Sequence, residues 1–216
     1  MNSLFNMDNG VFTFLGKAFD IMLIGFVYLL CCIPIITIGP ATTALYYTIV
    51  KVIRKNRGYL MREFFKSFKD NFKVGTISWF IVLLFITILY FNIQLTKQMT
   101  GILGVVLSYT YISASIMLFC TTIYLFPVLS RFKLGVFGLF KTSFFIAIKH
   151  LPSTILLALL TLLFAFASYI IIILIVIAPA VGLYVGSFLY ERIFKKYIPK
   201  QEESEEDVKI DQWYFD

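Results

Sequence analysis

Long apolar stretches without a single charged side chain dominate this sequence. Four of them carry no Asp, Glu, Lys or Arg: Ile21–Val50, Val74–Thr96, Gln98–Ser130 and Leu151–Tyr190. Because about 20 helical residues cross the hydrocarbon core of a bilayer, uncharged apolar runs of about 18 residues or more predict membrane-spanning helices. The pattern therefore predicts an all-α, polytopic transmembrane helical bundle.

Two of the apolar runs are too long for one comfortable span. Leu151–Tyr190 would be roughly 60 Å long as a single helix, about twice the thickness of the hydrocarbon core, so it must fold back. Proline suits the first turn of a helix, which favours breaks at Gly39-Pro40 and Ala178-Pro179. Six spans result, with five or four as alternatives if Pro40–Val50 is re-entrant: Lys17–Ile38, Pro40–Lys55, Gly75–Leu95, Ile102–Leu129, Pro152–Val176 and Pro179–Lys196.

The charged residues support this count. The net charge is +7, but of the 19 Lys and Arg residues only Lys97 falls in a loop that the six-span arrangement places outside. Cytoplasmic loops collect Lys and Arg, which predicts a multi-pass protein of the cell membrane with both termini in the cytoplasm. The positive charge is thereby explained without a nucleic-acid partner.

Prolines and small residues mark further positions of interest. We expect helix breaks at Pro34, Gly39, Pro40, Pro127 and Pro179. A proline within a span frees the carbonyl one turn back, which for Pro34 and Pro127 is that of Leu30 and Ile123. Such a carbonyl can bind a polar solute, although kinks without ligands are common in membrane helices.

Stripes of small residues follow two of the predicted spans. Ala178, Gly182 and Gly186 recur every four residues, and a similar stripe precedes them at Ala158, Thr161, Ala165 and Ser168. Small residues let membrane helices approach closely, so helix packing is favoured over substrate contact for both stripes.

Two short segments predict interfacial amphipathic helices. Tyr59–Lys73 sets phenylalanines on one side and a basic stripe, Arg62, Lys66, Lys69 and Lys73, on the other. Such a helix suits an anionic lipid leaflet, and the alternative is a helix tucked under the bundle with its charges solvated. Leu139–Phe145 echoes Phe64–Ser67, and the two proline hairpins also look alike, which hints at an internal repeat of the kind found in transporters.

The chain is expected to form one transmembrane domain, residues 1–200, followed by a tail, residues 201–216. The tail begins Gln-Glu-Glu-Ser-Glu-Glu-Asp, a composition too acidic to pack on a membrane, and we expect it to be disordered. It ends Trp213-Tyr214-Phe215, for which a frayed end is favoured over a docking motif.

Motifs of catalysis are missing from the sequence. The single histidine, His150, has no second histidine for a metal pair, and neither a Gly-x-Ser-x-Gly elbow nor a phosphate loop occurs. Ionisable residues at the membrane midplane, which proton relays and ion pores need, are not expected either. The sequence thus predicts a protein that is not an enzyme and uses no cofactor or metal.

Four segments in the first third of the chain form a recognisable pattern: Phe5–Asn9, Pro34–Gly39, Thr43–Tyr47 and Phe64–Phe72. Together they resemble the YesL-like family of bacterial integral membrane proteins, a domain of unknown function. The resemblance implies a link to carbohydrate utilisation, because members often lie beside genes for sugar uptake, but it implies no activity and no catalytic residues.

Three functions compete at this point. The chain could be an accessory or regulatory membrane subunit beside a carbohydrate importer, a small-solute carrier, or a structural or lipid-surface protein. The resemblance favours the first, the repeat and broken helices favour the second, and the basic Phe-rich segments favour the third.

Overall fold

The fold, seen in a computed structural model, is a bundle of eight α-helices within the described residues, 10–99 and 101–197. The helices are α1 (Gly10–Cys32), α2 (Ile38–Thr48), α3 (Leu60–Asp70), α4 (Phe72–Thr96), α5 (Ile102–Arg131), α6 (Val136–Lys149), α7 (Leu151–Ile170) and α8 (Ala178–Phe194). No strand occurs in these two ranges. The predicted tail, residues 201–216, lies outside them.

Five helical segments are long and apolar enough to cross a membrane: Leu15–Cys32, Ile35–Arg54, Phe72–Thr96, Ile102–Arg131 and Leu151–Ile170. This is the architecture of a multi-pass membrane protein, as the apolar runs predict. α8 has 17 residues and would reach roughly 26 Å. Whether it is a sixth span stays a prediction.

The first break in the chain lies at Pro34 and not at Gly39 and Pro40, where a second break is expected. α1 ends at Cys32 and α2 begins at Ile38, so Pro34 lies in the connection, before a 3₁₀ turn at Ile35–Thr37. The predicted span to Ile38 is therefore too long, and Gly39 and Pro40 lie in the first turn of α2. The reason is local, because the ring of Pro34 denies the helix a backbone donor. The Thr37 hydroxyl lies within hydrogen-bond distance of the carbonyls of Cys31 and Pro34, either of which can accept its hydrogen.

The other two proline sites differ from each other. Pro179 lies in the first turn of α8, as predicted, although α7 already ends at Ile170 and a 3₁₀ turn, Ile172–Ile175, separates the two helices. Pro127 lies inside α5, which continues as one helix from Ile102 to Arg131. The helix break expected at Pro127 is therefore wrong, since the chain loses one hydrogen bond there without leaving the helix.

α2 is the central element of the bundle. Nine of its 11 residues are buried, and it contacts α1, α3, α4, α5 and α8. Small and hydroxyl-bearing residues allow this crowding, and buried Thr43 and Thr48 donate to the carbonyls of Gly39 and Ala44 one turn back. α2 runs on through a π-helical turn, Ile49–Arg54, so the segment predicted as Pro40–Lys55 is continuous.

Close backbone contacts hold α2 against α4. A Cβ atom placed on Gly39 would lie 2.4 Å from the carbonyl oxygen of Gly75, and one on Gly75 would lie 3.0 Å from the nitrogen of Pro40. The indole of Trp79 on α4 also donates to the Ile35 carbonyl, at 2.8 Å. Two glycines thus permit the crossing, and one indole satisfies the interrupted backbone beside it.

Candidate functional site

A buried ion pair ties α5 to α8 at the end of the bundle where the basic residues gather. The guanidinium of Arg131, in the last turn of α5, contacts both carboxylate oxygens of Glu191 on α8, and its Nε lies 2.9 Å from Oε1. The Arg131 side chain is 3% exposed and that of Glu191 is 12% exposed. The Tyr46 hydroxyl of α2 donates to the same Oε1 at 2.8 Å. We call these three residues the ion-pair cluster.

An aromatic cluster surrounds the ion pair and fills the space between α2, α5 and α8. Its members are Tyr46, Tyr124, Tyr190 and Phe194. The ring of Tyr190 meets those of Tyr46 and Tyr124 edge-on, with centroids 5.5 and 5.6 Å apart, and stacks on Phe194 at 6.0 Å. Edge-on aromatic pairs add stability beyond the area they bury. All four side chains are buried.

The Ile123 carbonyl, which Pro127 leaves without its helical hydrogen bond, accepts a hydrogen bond from another part of the protein. Tyr190 donates its hydroxyl hydrogen to the Ile123 carbonyl at 3.1 Å. The sequence leaves open whether this carbonyl binds a polar solute, whereas the tertiary structure brings a tyrosine from α8, 67 residues away, to satisfy it. The position binds helices together and has no remaining need of a ligand.

The π-helical turn after α2 joins two other elements through its basic side chains. Lys51 forms an ion pair with Glu63 of α3 at 2.8 Å. Arg54 donates to the Ser187 carbonyl of α8 at 3.0 Å, and its guanidinium lies 4.1 Å from the centre of the Phe188 ring. π-Helical turns often occur at functional sites. Here the turn connects α3 to α8.

An apolar cleft lies between α1, α2, α7 and α8, next to a smaller cavity between α2, α5, α7 and α8. Their volumes are about 280 and 200 Å³. Thr42, Thr161, Leu183 and Tyr190 line both. Among the described residues, no charged side chain lines either cavity, so the lining suits apolar groups.

The hydroxyl groups in these two cavities are engaged within the protein. Each donates to a backbone carbonyl at 2.7–3.1 Å, in the pairs Thr42 to Ile38, Thr122 to Leu118, Thr161 to Leu157, Ser168 to Phe164 and Tyr190 to Ile123, while the Tyr28 hydroxyl lies 3.3 Å from that of Thr42. A sugar would require donors and acceptors that converge on the cavity. These side chains offer it few.

The small residues predicted to pack helices lie against α7. A Cβ atom on Gly182 would lie 3.2 Å from the Phe164 ring, and one on Gly186 would lie 3.3 Å from Leu157. Ala178 and both glycines also line the larger cleft, opposite Thr161, Ala165 and Ser168 of the second stripe. The two stripes thus face one another across the cleft, and a Cβ atom on either glycine would lie close to a side chain of α7.

We expect Gly186→Leu to destabilise the protein by about 2 kcal/mol, because overpacking a tight helix contact costs roughly 1–3 kcal/mol. Gly182→Leu should act in the same direction, because a Cβ atom there would lie 3.2 Å from the Phe164 ring. Val185 is 43% exposed on the same helix, which makes Val185→Leu the matched control. Thermal unfolding of the purified variants in detergent measures the difference. If all three variants unfolded at the same temperature, α8 would not pack on α7 through its glycines.

The basic stripe is exposed, as its charges require. Arg62, Lys66 and Lys69 lie on α3 and Lys73 lies in the first turn of α4. The phenylalanines differ in exposure. Phe64 is fully buried against α1 and α2, whereas Phe65 and Phe72 are 46% and 41% exposed. α3 is therefore packed on the bundle along one side and free along the other, which combines the two arrangements that the sequence leaves open.

The single histidine lies at the corner between α6 and α7. Its Nε2 is 3.1 Å from the Tyr197 hydroxyl. Partial burial, and then the nearby charges of Lys196 and Lys149, lower the pKa of His150 below its usual value of 6.5. Among the described residues, no group of three His, Cys, Asp or Glu side chains could hold a metal ion.

Sequence reasoning missed the ion-pair cluster. Arg131 and Glu191 are placed at the ends of predicted spans, where an exposed interfacial position is the ordinary expectation. One signal was available: Glu191 is the only acidic residue between Asp70 and the tail, and it lies just before the basic residues at the end of α8. A lone carboxylate at a helix end needs a cationic partner if it is buried.

The first part of the chain is similar to a known protein family. Residues 11–93, from α1 to the last turn of α4, match a family model described as a protein of unknown function, DUF624. The match covers less than half of the chain. No curated protein and no solved structure matches it. The matched region includes α2, its π-helical turn and the basic stripe, but neither Arg131 nor Glu191.

Proposed function

We propose that this protein is a non-enzymatic accessory or regulatory subunit that works beside another membrane protein. The observation that carries this proposal is the exposure of one half of the α4–α5 hairpin, the half that includes the loop between the two helices. From Leu83 to Leu95 and from Val105 to Cys120 no residue is buried. This half of the hairpin therefore offers a large exposed surface to the helices of a partner.

Hydroxyl groups on this exposed half of the hairpin support the proposal. Thr87, Thr110 and Ser113 are exposed, each bonded to a carbonyl one turn back on its own helix. Ser and Thr are enriched where membrane helices meet, because their small side chains permit close approach and their hydroxyls can bond across the contact. Thr110 and Ser113 lie one turn apart and form the polar centre of the surface.

A carbohydrate importer is the partner we propose. This part rests on the resemblance to the YesL-like family, whose members often lie beside sugar-uptake genes. We also propose that the basic end of the bundle, with both termini, faces the cytoplasm of the cell, because Lys and Arg gather in cytoplasmic loops. The partner's helices would then meet the hairpin towards the outer leaflet.

A carrier for small polar solutes is the weaker candidate. The cavities are apolar, their hydroxyls are engaged, and the aromatic cluster and the ion-pair cluster close the bundle at its basic end. Alternating access would have to break the Arg131–Glu191 contacts within a buried site, where separating two charges is costly.

A photo-crosslinking amino acid at Ser113 tests the accessory proposal. In native membranes we expect a crosslinked product that contains a membrane subunit of a carbohydrate importer. The same amino acid at Leu163, which is 62% exposed on α7, is the control and should crosslink far less. Ser113→Leu should reduce co-purification of the same subunit. Crosslinks to lipid alone at both positions would contradict the proposal.

A further inference from the structure

The helix that carries most of the basic stripe directly precedes a membrane span. α3 ends at Asp70 and α4 begins at Phe72, with only Asn71 between them. α4 has 25 residues and is apolar enough to cross a membrane. Since α4 enters the bilayer directly after Asn71, α3 must lie at the surface of the same leaflet.

Contacts with the bundle hold α3 at that surface. Phe64 is fully buried in a cluster with Ile24 of α1 and Leu45 of α2. Glu63, in its first turn, pairs with Lys51, and both side chains are nearly buried, at 12% and 11% exposed. The only other acid of α3 is Asp70, which is exposed at its end. The helix is therefore fixed by its inner side and presents an excess of positive charge outwards.

The angular order of the side chains around the axis of α3 matches the order of the layers in a lipid leaflet. At about 100° per residue, Phe65 lies between the bundle-facing Phe64 and the cations of Lys69 and Arg62. Phe65 and Phe72 are both partly exposed. An amphipathic helix lying in the interface sets its apolar side chains against acyl chains and its cations among headgroups.

We infer that Arg62, Lys66, Lys69 and Lys73 form a binding surface for the headgroups of anionic phospholipids, with Phe65 and Phe72 inserted beside them. Lipid is favoured over an acidic protein because exposed phenylalanines next to a span meet hydrocarbon wherever the protein resides. The charges are complementary, and each cation near an anionic surface adds about fivefold to its affinity. This inference does not depend on the accessory role.

The test uses the full-length protein in detergent. Its unfolding temperature is followed while phosphatidylglycerol or phosphatidylcholine is added, since a ligand that binds only the folded state raises that temperature. We expect a larger rise with phosphatidylglycerol, and we expect added salt to reduce the difference. Equal rises with both lipids would overturn the inference.

Charge-matched variants locate the surface. Changing Arg62, Lys66, Lys69 and Lys73 together to Gln should remove most of the preference for phosphatidylglycerol. The control changes four exposed cations elsewhere to Gln and should retain it: Lys133, Lys141, Arg192 and Lys195. Lys66→Arg/Lys69→Arg/Lys73→Arg keeps the charge and should bind as the parent does, which separates lost binding from damaged folding. Equal losses in the Gln stripe variant and the control would mean that total charge, and not this surface, attracts the lipid.

The acidic tail offers a competing occupant of the stripe. If residues 202–207 covered it within the same chain, removal of residues 201–216 would be needed before phosphatidylglycerol raised the unfolding temperature. A preference for that lipid only in the shortened protein would therefore overturn the assignment of lipid as the resident partner. The same preference in both forms supports it.

Discussion

Glu191→Ala should destabilise the protein by about 3–5 kcal/mol, the largest effect we expect from any single substitution in this chain. The change removes the carboxylate that faces the Arg131 guanidinium and leaves a cation with a 3% exposed side chain in a site built for a pair. Loss of one partner of a buried ion pair costs this much because the remaining charge is desolvated without compensation. Unfolding by titration with a denaturing detergent gives the free energy.

Two further variants separate the ion pair from the space it fills. The double variant Arg131→Met/Glu191→Leu removes both charges at similar volume and should lose far less than Glu191→Ala, because no charge is left alone. Arg192→Met removes an exposed cation beside the site and should change stability by less than about 0.5 kcal/mol. A double variant as unstable as Glu191→Ala would show that the cluster acts through packing alone.

Gly39→Ala should cost about 2 kcal/mol in spite of the better helix propensity of alanine. The new methyl group would lie 2.4 Å from the Gly75 carbonyl oxygen and 2.9 Å from the Cβ of Trp79, so α2 and α4 must separate. Overpacking of this kind typically costs roughly 1–3 kcal/mol. Gly75→Ala should act in the same direction, because its methyl group meets Pro40 at 3.0–3.2 Å.

Gly16→Ala provides the control for the glycine prediction. Gly16 lies in α1, and a methyl group added to it would meet no other atom within 4 Å. Alanine is better than glycine in a helix by about 1 kcal/mol, so this variant should be as stable as the parent or more stable. Thermal unfolding in one detergent compares all three. If Gly39→Ala matched Gly16→Ala, the close crossing of α2 and α4 would be refuted.

The sequence by itself determined the helical class, the main apolar segments and where the basic residues gather. Runs such as Val74–Thr96 leave no other solution, because only a helix satisfies its own backbone hydrogen bonds in lipid. The amphipathic pattern of residues 59–73 likewise predicted α3, whose phenylalanines and cations alternate at helical spacing. These features follow from local rules of length, charge and periodicity.

Only the tertiary structure decided which helix faces meet. A helix that is apolar on all sides carries no periodic mark of its packing face, so neither the Gly39–Gly75 crossing nor the central place of α2 could be predicted. The contacts of Arg131 with Glu191 and of Tyr190 with the Ile123 carbonyl join residues 60 and 67 positions apart. Local pattern cannot encode such pairs, because they depend on the rotation and depth at which the helices pack.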